Sequence, residues 1–173
     1  MAIDEKTVLH GEAAMAKLRE LLAEFPIAFM VTVHSGDVTA RPIGVVGDHA
    51  AFDGSLWFLT DRRSRKVGLI AAGCTTSLLF QDDKRGAYLS MQGRATVVDD
   101  GARVKELYTS VQRAWFPDGP DDPELIAVRF DAEGADFWDG HNSMVRLALA
   151  MAKSIVTGTP GKSGNAGVAR LKD

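Results

Sequence analysis

The 173-residue sequence predicts a β-dominated α+β fold, an antiparallel closed or split β-barrel with a few flanking helices. Short strand-like segments separated by turn residues dominate the chain, and the helical segments are few and short. The strand–helix–strand rhythm of a doubly wound parallel sheet is missing. With no repeat and no domain-length linker, we expect one domain over 1–173, with the barrel at about 26–139 and a C-terminal helix and tail at about 141–173.

Seven segments have the length and apolar pattern of β-strands, and turn residues bound them. They lie at about 27–33, 38–46, 56–60, 74–80, 87–98, 124–130 and 135–138, with a short final one around 168–171. His34 to Asp37 favours a hairpin turn between the first two strands. Gly93 interrupts the long fifth strand, which predicts a bulge or a bend there.

Helical spacing and helix-ending residues predict four helices. They lie at about 10–25, 64–72, 99–114 and 143–156. Pro26 ends the first helix, Ser64 can cap the second and Gly73 can end it. The third leads into a loop at 115–123 that is rich in proline, glycine and aspartate, and the fourth leads into a glycine-rich loop at 158–167.

Composition excludes several classes of function. The net charge of −3 argues against a nucleic-acid partner held by a dominant basic face. Cys74 is the single cysteine, so an internal disulfide is excluded and a reducing cytoplasmic location is expected. We expect no membrane partner, because the N-terminus lacks an apolar signal segment and Lys153 interrupts the longest apolar stretch.

The stretch 60–66 concentrates positive charge where a strand ends at Thr60 and a helix begins at Ser64. Free N–H groups and the helix dipole favour an anion at such a point. The cations there are Arg62, Arg63, Arg65 and Lys66, and each opposes the dipole by about 0.3–1 kcal/mol unless a bound phosphate reverses the effect. Two interpretations stay open at this point, a phosphate site and a solvated basic turn with Ser64 as an ordinary cap.

A second candidate feature is Arg41-Pro42-Ile43 inside the second strand. An arginine in an apolar strand, followed by a residue without a backbone donor, indicates either an edge or a binding site. An arginine exposed on the outer face is the alternative. Among the tryptophans, Trp57 is typical of core or interface packing, and Trp115 opens a loop from which it could cover a flat ring.

Other matches are rejected. The four histidines are scattered without metal-ligand spacing, so no metal site is predicted. Gly161-Lys162-Ser163 lacks the earlier glycine and the strand–helix context of a P-loop. Cys74 is typical of a buried structural thiol, and no nucleophile–base pair stands out. The sequence therefore names no catalytic residue.

Several segments nevertheless occur in a specific order. They are Thr39-Ala40-Arg41-Pro42-Ile43, Leu56-Trp57-Phe58-Leu59-Thr60, Ser64-Arg65-Lys66-Val67, Leu78-Leu79-Phe80, Tyr88-Leu89-Ser90-Met91-Gln92-Gly93-Arg94-Ala95, Trp115-Phe116-Pro117-Asp118-Gly119 and Asp122-Pro123. Over about residues 10–140 the sequence resembles the pyridoxamine 5′-phosphate oxidase-like proteins with an FMN-binding split β-barrel. It is most similar to their general stress protein branch.

The resemblance implies a homodimer with two flavin sites at the subunit interface. It assigns the FMN phosphate to Arg41, Ser64 and Lys66, with Arg65 as a further candidate. Thr60 and the backbone around Pro42–Ile43 and Trp57, Phe58 and Leu59 would line the ring and the ribityl chain. Gln81 and Trp115 would belong to the wall that the partner subunit supplies.

The implied function is that of an FMN-dependent oxidoreductase of the general stress type, which transfers hydride between a donor and an unidentified small molecule. A non-catalytic flavin carrier or sensor is the alternative, and a deazaflavin or haem ligand in the same barrel is a weaker one. True pyridoxamine phosphate oxidases end in a basic, tryptophan-containing segment. The tail 165–173 does not match that segment, so pyridoxamine phosphate oxidation is not expected.

Overall fold

Eight strands and three helices form within residues 7–139 and 165–171, which are the residues that the computed structural model describes. The strands are β1 (Thr7–His10), β2 (Ile27–His34), β3 (Asp37–Gly44), β4 (Ser55–Asp61), β5 (Thr75–Asp82), β6 (Ala87–Val98), β7 (Leu125–Asp139) and β8 (Asn165–Arg170). The helices are α1 (Gly11–Leu22), α2 (Arg65–Ala71) and α3 (Gly101–Leu107), with 3₁₀ turns at His49–Ala51 and Gln112–Ala114.

Six of the strands curl around one core. β3, β2, β5, β6, β7 and β4 follow one another as antiparallel neighbours in that order. Between the two ends of this series, the only pairing among the described residues is an isolated bridge from Val46, just beyond β3, to Trp57 of β4. The sheet is therefore not closed, and the predicted strand-dominated split barrel is confirmed.

Successive side chains of each strand point to opposite faces of the sheet, and those that point inward fill the barrel interior. Phe58, Phe130 and Met30 are fully buried there, and α1 adds Leu18 and Leu22 from its predicted apolar stripe. A smaller cluster lies on the outer face of β4 and β7. There α3 packs Val104 and Leu107 against Leu59 and Leu125. Among the described residues, no helix is both long and apolar enough to cross a bilayer.

The bulge predicted at Gly93 is confirmed. The register between β6 and β7 shifts between Gln92 and Gly93. A Cβ atom added at Gly93 would lie 2.2 Å from the carbonyl oxygen of Asp131 and 2.7 Å from Cζ of Phe130. The backbones of the two strands approach so closely here that only glycine fits.

The last two strands predicted for the barrel and the third predicted helix differ from the structure. The segments expected at 124–130 and 135–138 form the single strand β7, whose second half pairs with both β6 and β8. Helix α3 ends at Leu107 and not near Ala114, because Tyr108 is extended and the side chain of Gln112 accepts the backbone N–H of Thr109. Serine and threonine side chains favour such local turns over helix.

The ends of the chain form pairings that local patterns do not predict. β1 pairs in parallel with β8, and β8 pairs in antiparallel with β7. The final strand is Asn165–Arg170, earlier than the segment expected around 168–171. The helix predicted at 143–156 and most of the loop predicted at 158–167 lie outside the described residues.

Candidate functional site

The basic stretch follows β4 as expected, and the short helix α2 begins directly after Ser64. The Ser64 side chain makes no capping hydrogen bond. Its Oγ atom lies 3.3 Å from Oγ1 of Thr60, which is almost fully buried at the end of β4. The structure thus places two hydroxyl groups side by side at the start of the stretch, and Ser64 is not an ordinary cap.

Two of the cations in this stretch are paired with carboxylates. The Arg62 guanidinium donates to both oxygens of Asp99 at 2.5 and 2.6 Å. Arg63 donates to Asp61 at 2.9 Å and lies 3.4 Å from Glu124. The Arg63 hydrogen bonds hold the pKa of Asp61 below its usual value. The three carboxylates neutralise the two guanidinium groups, which leaves Arg62 and Arg63 with little attraction for a further anion.

The remaining cations of the stretch, Arg65 and Lys66, form a cluster of positive charge with Arg41. Burial lowers the pKa of Lys66, and the nearby charge of Arg41 lowers it further. Burial also lowers the pKa of Arg41, with a smaller contribution from the charge of Arg65. Within the described part of the chain, no carboxylate lies at ion-pair distance from any of the three. We call Arg41, Arg65, Lys66, Ser64 and Thr60 the cationic cradle.

Arg41 is held inside the barrel and not on its outer face. Its Nη2 atom donates to Oγ1 of Thr32 at 2.8 Å. Its Nη1 atom is buried and has no hydrogen-bond partner among the described residues. A buried charged donor without an acceptor is unfavourable by several kcal/mol as a rule, so this geometry suits an anion that accepts from Nη1.

The other residues expected to line a flavin ring lie on β3 and β4, the two strands on either side of the open seam of the barrel. Ile43 and Phe58 point into the core, so a ligand outside the barrel could reach only their backbone. Pro42 is exposed on β3. Leu59 belongs to the outer cluster with α3, and the Trp57 ring lies 4.0 Å below the guanidinium carbon of Arg103. This stacking on α3 confines the Trp57 indole.

Gln81 and Trp115 lie outside the cationic cradle. Gln81 is the next-to-last residue of β5 and lies on its exposed face, where its Nε2 atom donates to Asp83 at 2.8 Å. Trp115 follows a 3₁₀ turn, and 78% of its surface is exposed. Among the described residues, no hydrogen bond joins either side chain to the cradle. Their assignment to a partner's site stays a prediction.

A large apolar face covers the outside of β2, β5, β6 and the end of β7. Phe29, Leu79, Tyr88 and Trp138 are each 41–50% exposed there. They border a groove of about 400 Å³ that also reaches Val31 and Ala40. The sequence contained a signal for this apolar face. The run 27–33 is largely apolar at successive positions, a pattern typical of strands buried on both faces.

The histidines, the cysteine and the carboxylates of the described ranges were compared with the arrangements that bind metal ions. No group of three or more histidine, cysteine, aspartate or glutamate side chains is placed to hold an ion there. Nδ1 of His49 lies 2.9 Å from the carbonyl oxygen of Leu22, which identifies a structural contact. Cys74 is partly buried, with Sγ 3.5 Å from Oγ1 of Thr76.

Comparison with solved structures identifies the fold. The chain is similar to a candidate general stress protein 26 from Jannaschia sp. CCS1, with a TM-score of 0.71 and 20% identity, over 90% of this chain and 96% of the other. The general stress FMN/FAD binding protein from Xanthomonas citri has a TM-score of 0.66 and 22% identity, over 78% and 94%. An FMN-binding, pyridoxamine 5′-phosphate oxidase-related protein from Nostoc punctiforme PCC 73102 has a TM-score of 0.54 and 17% identity, over 76% and 83%.

Comparison of sequences identifies the family. Protein bli-3 from Neurospora crassa is 26% identical over an alignment of 113 residues that covers 61% of this chain. The chain spans about half of that relative, 54% of its length. The family model described as pyridoxamine 5′-phosphate oxidase like matches residues 13–161. The chain therefore belongs to the pyridoxamine 5′-phosphate oxidase-like family.

Proposed function

We propose that this protein binds FMN and uses it as an oxidoreductase of the general stress type. The observation that carries the proposal is the buried Nη1 atom of Arg41, for which the described residues offer no acceptor. It lies in a group of cations that have no carboxylate at ion-pair distance within the same residues. An FMN phosphate carries close to two negative charges and three acceptor oxygens. It matches both the charge and the donors of the cradle.

Each cradle residue has a role in this proposal. Arg41 and Lys66 supply charge, and Arg65 adds to the positive potential. The hydroxyl of Ser64, next to that of Thr60, supplies a neutral donor. Charge-assisted hydrogen bonds of this kind contribute about 1.5–3 kcal/mol each.

The seam between β3 and β4 would take the rest of the cofactor. Among the described residues, the isolated bridge at Val46 and Trp57 is the one pairing between the facing edges of these strands, which leaves backbone donors and acceptors around Pro42–Ile43 and Phe58–Leu59. A bound flavin supplies hydride acceptance and donation, and the protein supplies position and electrostatics. Two structural neighbours bear names that include FMN binding, which supports a flavin as the ligand.

FMN fits this site better than FAD does. A terminal phosphate monoester presents two charges and three free oxygens to one point, whereas the inner phosphate of a diphosphate carries one charge and fewer free oxygens. The cations of the cradle lie close enough together for their charges to lower one another's pKa, as a single doubly charged group would require. We therefore assign FMN, with FAD and deazaflavin analogues as competitors in the assay.

Titration with FMN and riboflavin tests the binding proposal. We expect FMN to bind with quenching or a shift of its absorption, and riboflavin to bind at least about 100-fold more weakly, since it forfeits two or more charge-assisted contacts. Isothermal calorimetry gives both affinities. A protein that neither perturbs FMN nor distinguishes it from riboflavin contradicts the proposal.

Turnover needs its own experiment. The FMN-loaded protein is mixed with reduced nicotinamide in a stopped-flow instrument, followed by a panel of quinone and nitro acceptors. Rapid bleaching of flavin absorption and steady-state acceptor reduction would support the oxidoreductase. Bound flavin that stays oxidised with every donor would indicate the alternative, a flavin carrier or sensor.

The family resemblance also leads us to propose a homodimer. The apolar face around Phe29, Leu79 and Tyr88 supports it, because β2 has the sequence of a strand buried on both faces while the single chain buries only one. A second copy of the chain on this face would cover the exposed rings. It would also bring Gln81, at the border of the groove, close to the partner's site.

Dimerisation predicts a specific mass. We expect light scattering after size exclusion to give twice the chain mass of 18.6 kDa. Leu79→Glu should shift the protein to the monomer, because the charge would be buried between the copies. Val8→Glu is the matched control, since Val8 is 48% exposed but lies on the edge strand β1. A monomeric wild-type protein, or a dimeric Leu79→Glu variant, would exclude this face as the dimer interface.

The lowered pKa of Lys66 predicts a pH dependence. Burial and Arg41 hold this pKa below that of an ordinary lysine, so Lys66 loses its charge early as the pH rises. A bound phosphate favours the charged form, and FMN affinity should therefore fall as the pH rises from neutrality towards the ordinary lysine pKa of about 10.4. Lys66→Arg keeps its charge throughout this range and should flatten the profile. Equal slopes for both proteins would contradict the assignment.

A further inference from the structure

A row of threonines crosses the inner face of the barrel next to Arg41. Thr32 of β2 is paired with Thr39 of β3 on one side and with Thr76 of β5 on the other. Thr32 is 0% exposed and Thr76 is 1% exposed. The neighbouring inward positions of β2 hold Ala28 and Met30. A hydroxyl at a position that valine would fill is unfavourable unless it is hydrogen-bonded.

The Thr32 hydroxyl has a specific partner. Its Oγ1 atom accepts the hydrogen bond from Nη2 of Arg41 at 2.8 Å, across the β2–β3 pair. The bond occupies one arm of the guanidinium fork, while the other arm, Nη1, is buried and finds no acceptor in the part of the chain that the structure describes. Because the guanidinium is planar and rigid, fixing one arm also fixes the direction of the other.

We infer that Thr32 is a positioning residue for the phosphate of the cofactor, and that it acts through Arg41. This inference rests on the proposed FMN function. Thr32 is fully buried and does not itself reach the ligand. The Thr32 hydroxyl holds Arg41 in the orientation that binding requires. The Arg41 side chain therefore loses less conformational freedom when the phosphate binds.

Valine and serine at position 32 separate positioning from packing. Valine keeps the volume and removes the hydroxyl, whereas serine keeps the hydroxyl and removes a methyl group. We expect Thr32→Val to weaken FMN binding about three- to tenfold and Thr32→Ser to retain wild-type affinity. A packing role predicts the reverse order, because only serine leaves a cavity.

A double-mutant cycle with Arg41 completes the test. If Thr32 acts through Arg41, Thr32→Val should cause no further loss of FMN affinity in the Arg41→Ala background. The FMN dissociation constants of the four proteins are measured by flavin fluorescence, with thermal unfolding to compare folding. An equal loss in both backgrounds, or wild-type affinity in Thr32→Val, would overturn the inference.

These outcomes are distinct from failure of the function itself. A wild-type protein that does not bind FMN removes the proposed function, and the inference with it. A wild-type protein that binds FMN and loses affinity in Arg41→Ala, but not in Thr32→Val, removes only the role of Thr32. Should Thr32→Val fail to fold, weak FMN binding by a folded Thr32→Ser would also contradict positioning.

Discussion

Replacing Arg41 or Lys66 with alanine should weaken FMN binding at least about tenfold each, because each substitution removes a charge-assisted contact worth about 1.5–3 kcal/mol. The two side chains lie close enough for Arg41 to lower the pKa of Lys66. Calorimetric titration of each variant with FMN measures the effect. Unchanged affinity in both variants would mean that the phosphate binds elsewhere.

The same stretch provides the control. Arg63→Ala removes an arginine from the basic segment, but Arg63 is already paired with Asp61 and Glu124 and its side chain is 72% exposed. We expect Arg63→Ala to bind FMN within about twofold of wild type, because carboxylates and water already screen the charge of this side chain. Equal losses in Arg63→Ala and Lys66→Ala would show that FMN responds to overall charge and not to a built site.

Gly93→Ala should destabilise the protein by about 3 kcal/mol, the upper range for overpacking, and lower its Tm by roughly 6–12 °C. The added methyl group would lie 2.2 Å from a backbone oxygen of β7, which cannot rotate away as a side chain would. Relief requires the two longest strands to separate at the bulge. Thermal unfolding followed by circular dichroism measures the shift.

Gly134 offers a matched control in the same pair of strands. A Cβ atom at Gly134 would lie 3.6 Å from the carbonyl oxygen of Ala169, an ordinary van der Waals distance. Gly134→Ala should therefore change stability by less than about 1 kcal/mol, with the smaller freedom of the unfolded chain favouring alanine. Similar Tm losses in both variants would show that loss of glycine flexibility, and not the close contact at Gly93, is responsible.

Local chemistry accounts for the parts of the fold that the sequence predicts well. Pro26 and Gly93 each act within a few residues of their own position, and the end of α1 and the bulge occur there. The hairpin between β2 and β3 likewise follows from Ser35 and Gly36, which both adopt positive φ angles. Such features need no information from distant segments.

Distant pairings account for the parts that the sequence does not predict. β1 exists because β8 lies beside it, more than 150 residues along the chain. β7 continues through Gly134 because β6 and β8 pair with it on both sides. Hydrogen bonds from neighbouring strands outweigh the weak local preference for a break at glycine.

For the candidate site, the sequence by itself determined that positive charge gathers after Thr60 and that Arg41 lies in an apolar strand, since both follow from residue type and strand pattern. Only the tertiary structure decided which of those charges are paired with carboxylates and which are left to bind an anion. It pairs Arg62 with Asp99 and Arg63 with Asp61, and it holds Arg41 against Thr32 with a buried Nη1 donor that has no acceptor among the described residues. The physical reason is that burial and ion pairing depend on which strands and loops meet in space, whereas a sequence fixes only which charges are available.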